Sequence, residues 1–519
     1  LMTLINMELL NLDLMLSIRP ALAVIVSLIA AGVILCLHNR PNARDAVSVV
    51  AAVIKFIIVI SMAPLILAGN TVDLTLFEIL PGVDFAFRVD ALGMVFATVS
   101  SLLWILAAIY CIGYMRSQNE QNQTRFYASF AVSLSAAVGG AFAANLFTLV
   151  IFYELLSLIT YPLVYHKENQ ASWHGSKRYI VYLVGASKSF LLAALALTYQ
   201  LTGSFDFLPQ GLFKNVVAAD GLLIIIYFCY LFGFAKSAIM PFHAWLPAAM
   251  VAPTPVSALL HAVAVVKMGV FCLLRVIFHV FGINLMSTLG LGIITAYLVS
   301  FTIVTASIYA LTRDDLKARL AYSTVSQLSY IILGAAMLTP MAAMGGIIHI
   351  AAHAFSKITL FFCAGSIYCA SHRKKISDLS GIGKRLPLTM TAFFIGSLGM
   401  IGIPPTGGFI SKWYLVVGAV DAGQMALLIV LLVSAVLNAA YFLPVTYKAF
   451  FEPEKIPQDP SLVAANDIHE IPMVAIPLLI TALLSLLLGL YPDYFLGLAN
   501  TLVAEAFVDR DLITVGSLP

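Results

Sequence analysis

Apolar runs of membrane-spanning length recur from one end of this chain to the other, separated by short polar stretches. Residues 20–37, 46–68, 91–115, 126–143, 146–165, 177–202, 219–243, 255–281, 286–311, 320–338, 342–370, 388–420, 423–450 and 470–498 read as about 14 spans. A helix needs roughly 17–25 apolar residues to cross a bilayer, and most of these runs supply them. The split at Ala143-Ala144-Asn145 rests on length alone, because no charge marks the turn. Residues 71–90 differ: they alternate apolar and polar around Pro81-Gly82, which predicts a short external hairpin. The fold class expected is an all-α polytopic membrane protein.

The charges test that count. Arg40 and Arg44 follow the first span, and Arg116 and Arg125 the third. Lys167, Lys177 and Arg178 follow the fifth, Arg313, Lys317 and Arg319 the ninth, and Arg373, Lys374, Lys375, Lys384 and Arg385 the eleventh. The loops between hold few cations, with Arg88, Lys214 and Arg275 as exceptions. The odd-numbered loops are therefore read as cytoplasmic and both termini as outside.

Two spans are interrupted. The seventh runs into Pro241, Pro247, Pro253 and Pro255, and the twelfth contains Gly402-Ile403-Pro404-Pro405-Thr406-Gly407-Gly408. Proline removes a backbone donor and clashes with the preceding turn, so neither helix can run straight. Such backbone survives at membrane depth only where protein or a wet cavity satisfies it. Lys236 lies five residues before Pro241, and Lys412 seven after Pro405. Spans 4–8 and 9–13 thus form two five-helix sets, each with a broken fourth helix. Paired interruptions of this kind point to a transport site. The division expected is 1–125 for the first three helices, 126–281 and 286–451 for two inverted repeats, and 452–519 for a loop and the last helix.

Glu154, Lys188, Lys236, Lys267 and Lys412 all fall within apolar runs. A lone charge at mid-membrane costs roughly 2.5–3.5 kcal/mol, so each needs a partner, a wet cavity or a neutral state. Snorkelling suits a lysine near a helix end, but not the short glutamate side chain. Burial favours the neutral form of either group, and an ion pair offsets it. A Glu154–Lys236 pair that forms and parts would act as a proton switch; a static buried pair would add little stability. His349, His353 and Lys357 recur at i, i+4 and i+8, lining about 12 Å of one helix face. His261 stands six residues before Lys267. Histidines titrate near neutral pH and suit a relay. His349 and His353 also have metal-ligand spacing, but no acid or cysteine joins them, so no metal site is expected.

Composition fits this reading. The 519 residues are 61% hydrophobic and 10% charged, far below the quarter usual in soluble domains. A net charge of +3 gives no reason to expect a nucleic-acid partner. The six cysteines form no C-x-x-C, and no flavin, nicotinamide or cluster motif is present, so no cofactor is expected. No cleavable leader is evident in the first apolar run, and the start is read as Met2 or a lost upstream residue.

Residues 234–275, FAKSAIMPFHAWLPAAMVAPTPVSALLHAVAVVKMGVFCLLR, resemble the antiporter-like proton-pumping subunits of respiratory complex I, membrane-bound hydrogenases and Mrp-type cation/proton antiporters. FYELLSLITYPLV, HIAAHAFSKITLFFCAG and GIPPTGGFISKW add to the resemblance, which covers roughly residues 90–450. It implies 14 helices with inverted repeats and half-channels. Glu154 and Lys236 match the family's coupling pair, and Lys267 its connecting lysine. His349 and His353 match the central relay, and Lys412 the terminal proton-loading group. Ala248 replaces the usual acid after WLP, and Lys188 has no counterpart in the pattern. The chain ends soon after the last span, so the look is that of the D-type component of an Mrp antiporter or its hydrogenase-like equivalent. Three functions stay open: a proton path in a sodium/proton antiporter, the same path driven by a redox complex, or a non-conducting scaffold. The first two imply neighbouring membrane subunits, a lipid bilayer, protons and sodium as partners, in a prokaryotic plasma membrane.

Overall fold

The computed structural model describes residues 17–454 and 468–508, without the side chains of Leu80, Leu260 and His261. The expected start at Met2 and the relay role of His261 therefore lie outside the described residues.

The chain is a bundle of helices: α1 Arg19–Cys36, α2 Pro41–Leu67, α3 Ala91–Ser117, α4 Gln123–Ala141, α5 Leu146–Val164 and α6 Gln170–Thr202. They are followed by α7 Asp220–Gly233, α8 Val265–Thr288, α9 Leu291–Leu311, α10 Leu316–Ala336 and α11 Pro340–Ser371. The twelfth is split into α12a Pro387–Ile401 and α12b Gly407–Asp421, and α13 Met425–Phe451, α14 Pro472–Leu490 and α15 Asp493–Ala506 close the order. The hairpin expected before α3 is present as β1 Val72–Leu80 and antiparallel β2 Val83–Val89.

Ten of the described helices are long and apolar enough to cross a membrane. The count falls below fourteen for physical reasons. Breaks shorten α7 and α12a, while α4 and α10 carry polar faces such as Ser129, Ser133 and Ser135, or Ser323, Ser326 and Gln327. These polar positions are buried, so the helices sit inside the bundle rather than against lipid. In α8 and α11 the most apolar stretch is wholly buried, and these two form the centre.

The split before α5 has a local cause. Asn145 takes an extended backbone and its Oδ1 accepts from Thr148 N at 2.8 Å, capping α5. Its amide also donates to Asp84 O at 2.7 Å, tying the hairpin to the bundle.

The loops read as cytoplasmic gather at one end. Arg44 and Arg116 both grip Asp45, at 2.8 and 2.5 Å, and Arg125 meets Glu168 at 2.6 Å. Lys317 Nζ donates to Ala252 O at 2.6 Å. At the other end Arg88 pairs with Asp73 at 2.6 Å, and Arg275 is buried in a two-pronged ion pair with Asp90. That pairing explains why Arg275 breaks the loop pattern: it is a core ion pair, not a loop charge.

Candidate functional site

The α7 break falls earlier than its prolines suggest. Helical structure stops at Gly233, and Lys236 lies in a single 3₁₀ turn, Ala235–Ser237, followed by Ala238 in the left-handed region. Lys236, expected beside the break and five residues before Pro241, thus lies within the break itself. The cause is packing from α8. A Cβ on Gly269 would lie 2.1 Å from Ser237 N and 2.3 Å from Lys236 C. Only glycine lets the two segments approach so closely.

Lys236 is fully buried. Its Nζ donates to Tyr153 O at 2.7 Å and Ser157 Oγ at 2.5 Å, and stands 3.1 Å from the Tyr153 ring centroid. Glu154, one residue along α5, instead faces Lys188 at 3.9 Å. The expected Glu154–Lys236 ion pair is absent from this conformation. Tyr153 points its carbonyl and ring inward, so Glu154 on the next position turns toward the bundle surface. Lys188 sits in a π turn, Ser187–Leu191, where one extra residue per turn redirects the side chain. Its side chain is 56% exposed, so the extra lysine is a surface group paired with Glu154 rather than a core one.

The second half holds a connected polar line. Lys267 Nζ lies 2.6 Å from His353 Nδ1. The His353 and His349 ring centroids are 6.1 Å apart, as one helical turn of α11 dictates. His349 Nδ1 meets Ser411 Oγ at 2.8 Å and its Nε2 meets Gln327 Oε1 at 2.9 Å. Gln327 Nε2 donates to Met400 O at 3.4 Å, which also accepts from Lys412 Nζ at 2.7 Å. Lys412 Nζ reaches Ile401 O as well, at 2.9 Å. A side branch runs from Lys357 Nζ to Ser323 Oγ at 2.8 Å, then to Tyr441 Oη at 3.1 Å and on to Asn438. Every member is buried.

Hydrogen bonds therefore link Lys267 to His353, and His349 through Gln327 and Met400 O to Lys412, with Lys357 alongside; the two imidazoles are ring neighbours without a hydrogen bond between them. No hydrogen bond joins Lys236 to Lys267. Pro404 and Pro405 mark the α12 break, and Pro241 and Pro247 lie past the α7 break. Among the described residues no group of three or more metal-ligating side chains is present. Several members escaped the sequence reading: Tyr153, Ser157, Ser323, Gln327, Ser411 and Asn438. A lone asparagine in VSAVLNAAYF was a usable signal; the others look like ordinary polar residues. Lys55 was readable too, as a lysine in VVAAVIKFIIVI. It is fully buried, donating to Ser27 Oγ at 2.8 Å and Leu134 O at 2.7 Å.

Residues 143–438 match the NADH:quinone oxidoreductase/Mrp antiporter transmembrane family, and residues 81–127 match the complex I chain 5 N-terminal family. The chain is 33% identical over 350 residues to an NADH-quinone oxidoreductase subunit of Desulforudis audaxviator, covering 67% of this chain and 69% of that protein. It is 29% identical over 515 residues to a probable K(+)/H(+) antiporter subunit of Rhizobium meliloti, covering 92% and 50%. It is 30% identical over 462 residues to a Na(+)/H(+) antiporter subunit of Alkalihalophilus pseudofirmus, covering 82% and 54%. The chain thus spans about half the length of these antiporter relatives. A chain in the Mrp complex of Dietzia sp. DQ12-45-1b superimposes with a TM-score of 0.84 at 24% identity, covering 95% of this chain and 98% of that one. A chain of the archaeal membrane-bound sulfane sulfur reductase gives 0.82 at 23%, covering 94% and 98%. Those two likenesses establish the fold, and the family match establishes membership: the chain belongs to the NADH:quinone oxidoreductase/Mrp antiporter transmembrane family.

Proposed function

With that membership as premise, we propose that the chain is the proton-translocating subunit of an Mrp-type sodium/proton antiporter. The observation that carries this reading is the buried line from Lys267 through His353, His349 and Gln327 to the Met400 carbonyl and Lys412. Each imidazole accepts a proton at one nitrogen and releases it from the other, which is what a relay needs. Lysine ammonium groups at either end load and unload it. Neither the step from His353 to His349 nor the stretch between Lys236 and Lys267 has a direct hydrogen bond, so water or a movement of the α7 break completes the path. His261, on the turn before α8, fits that stretch by sequence position.

The same reading takes fourteen helices crossing the membrane, with 126–281 and 286–451 as inverted five-helix units between an N-terminal part, 1–125, and a C-terminal part, 452–519. It places the chain in a prokaryotic plasma membrane with both termini outside. It also needs a neighbouring subunit. A bare ammonium in hydrocarbon costs roughly 2.5–3.5 kcal/mol, so the Glu154–Lys188 face packs on protein rather than lipid.

A second reading, a redox-driven complex of the same build, draws support from the NADH-quinone oxidoreductase relative and the sulfane sulfur reductase likeness. Catalysis would then lie in other chains. The non-conducting scaffold has no such support, and the buried lysines weigh against it. Copurifying subunits separate the first two: small membrane proteins alone favour the antiporter, and iron–sulfur subunits the redox complex. In everted vesicles, sodium-driven proton movement should disappear with Lys236→Ala, Lys412→Ala or His349→Ala while the complex still assembles. Undiminished movement in an assembled Lys412→Ala complex would reject the relay.

A further inference from the structure

At the end of the bundle where the cationic loops gather lies a cavity of about 420 Å³. It sits between the turn after α5, the stretch joining α7 to α8, the start of α10 and the last turns of α11. Lys167, Lys317, Arg373, Lys374, Thr254 and Tyr368 are among its lining. The relay uses none of them.

The cations here are incompletely neutralised. Lys167 reaches Glu120 only at 3.6 Å, and Arg373 reaches Glu454 only at 3.6 Å. A charge-assisted hydrogen bond is nearer 2.7–2.9 Å. Among the described residues, neither Lys317 nor Lys374 has a carboxylate within 4.0 Å. Asp315 also lines the cavity, but its Oδ1 caps α10 by accepting from Ala318 N at 2.8 Å. Lys317 spends one N–H on Ala252 O and keeps two.

Arg373 lines the cavity with a side chain only 4% exposed; its Nη1 donates to Asp378 O at 3.0 Å, and its Nε has no hydrogen-bond partner. A buried guanidinium so incompletely paired favours an added anionic acceptor beside it. Tyr368 forms a ring wall between Lys167 and Lys374, whose Nζ atoms stand 6.0 and 5.2 Å from its centroid.

We propose that this cavity binds a phosphate-bearing anion, held by Arg373, Lys317 and Lys374, with room beside it for an ester substituent. Tetrahedral phosphate oxygens can meet donors converging from the start of α10 and the stretch just past α11, which a planar carboxylate cannot do as well. The volume lies in the range of small-molecule sites. Basic pockets between helices at this face are where lipid phosphate groups settle. A soluble phosphate would satisfy the same donors. Occupancy would link the α7–α8 stretch, through Lys317 and Ala252 O, to the α11 terminus.

The test is binding to the purified complex, read without transport and so independent of the proton path. Inorganic phosphate is titrated by calorimetry against the complex in detergent. In parallel, the complex in phosphatidylcholine nanodiscs with and without phosphatidylglycerol is scored by native mass spectrometry for retained lipid. Binding of phosphate identifies a soluble ligand, and retention of phosphatidylglycerol alone identifies a headgroup; either supports the site. The Arg373→Gln/Lys374→Gln double variant should weaken that binding about tenfold or more, since charge-assisted hydrogen bonds are lost. Lys374→Gln alone guards against misfolding, because the lysine makes only the ring contact. Lys375→Gln removes an adjacent charge outside the lining and should change nothing. Binding of neither probe, unchanged binding in the double variant, or an equal loss with Lys375→Gln would overturn the proposal.

Discussion

Gly269→Ala tests the geometry that places Lys236. The added Cβ would sit 2.1 Å from Ser237 N, where ordinary contact begins near 3.4 Å. The α7 break must therefore retreat by about 1.3 Å, the difference between those two distances. Backbone on a packed turn has no side-chain rotamer to absorb that shift. Overpacking costs ~1–3 kcal/mol, and the helix gains up to ~1 kcal/mol from losing a glycine. The net effect expected is a loss of up to ~3 kcal/mol. A retreat of that size also carries Lys236 Nζ out of reach of Ser157 Oγ and Tyr153 O, now at 2.5 and 2.7 Å. Thermal melting in detergent and proton flux in reconstituted vesicles should both fall. Gly185→Ala on α6 is the control: nothing lies within 4 Å of its Cβ, so melting should hold or rise and flux stay normal. If Gly269→Ala behaves like that control in both assays, the close approach of α8 to the break is not real.

Lys55→Met should keep or raise the melting temperature and leave flux unchanged. An apolar side chain of similar length replaces a buried amine that meets no carboxylate among the described residues, and such exchanges are often neutral or stabilising. A marked fall in melting temperature would assign Lys55 a structural latch across α1, α2 and α4. Asp90→Asn should cost about 3–5 kcal/mol by stranding Arg275, which lies between the Phe207 and Phe271 rings at 5.1 and 5.0 Å. Adding Arg275→Gln should recover part of that loss, and a purely additive double variant in melting experiments would contradict the pairing. His166, on the turn after α5, is held to a pKa of about 4 by burial and then by the nearby Arg125 and Lys167 charges. Its folded value lies below the ordinary 6.5, so its contribution is intact above pH 6.5 and is lost as pH falls toward 4. The loss is at most ~3 kcal/mol and less with partial solvation. Melting of the wild type should drop across that window, and His166→Gln should flatten the drop; parallel curves would refute it.

The sequence carried the broad frame because lipid imposes strict patterns. Apolar runs, the Asn145 split, the two breaks and the His349–His353–Lys357 stripe all follow from backbone satisfaction and helical period. Pairings were harder to read. Glu154 and Lys188 are 34 residues apart on different helices, and only the π turn in α6 brings the lysine round to face the glutamate. Nothing in VYLVGASKSFLLAAL marks that turn. Gln327 and Ser411 were equally silent, because an amide or hydroxyl gains meaning only from the imidazole it meets.

One expectation of the sequence reading failed for an instructive reason. It gave Lys236 a carboxylate partner in Glu154 and left the other buried lysines to a partner, a wet cavity or a neutral state. The fold answers instead with peptide carbonyls. When α12a stops at Ile401, the last carbonyls of that helix lose their intrahelical donors and carry the negative end of its dipole. Met400 O and Ile401 O are two of these, and Lys412 donates to both. Asn438 and Gln327 converge on Met400 O as well. The break and the lysine are therefore one device. The prolines that forbid a straight helix create the acceptors that make a cation tolerable at that depth, without the fixed charge that would hold its proton in place. Lys236 shows the other form, in which the turn carries the lysine itself and an unbroken neighbour, α5, offers Tyr153 O and Ser157 Oγ. A carbonyl-held ammonium can give up its proton without stranding a buried carboxylate, and that difference suits these lysines to passing protons on.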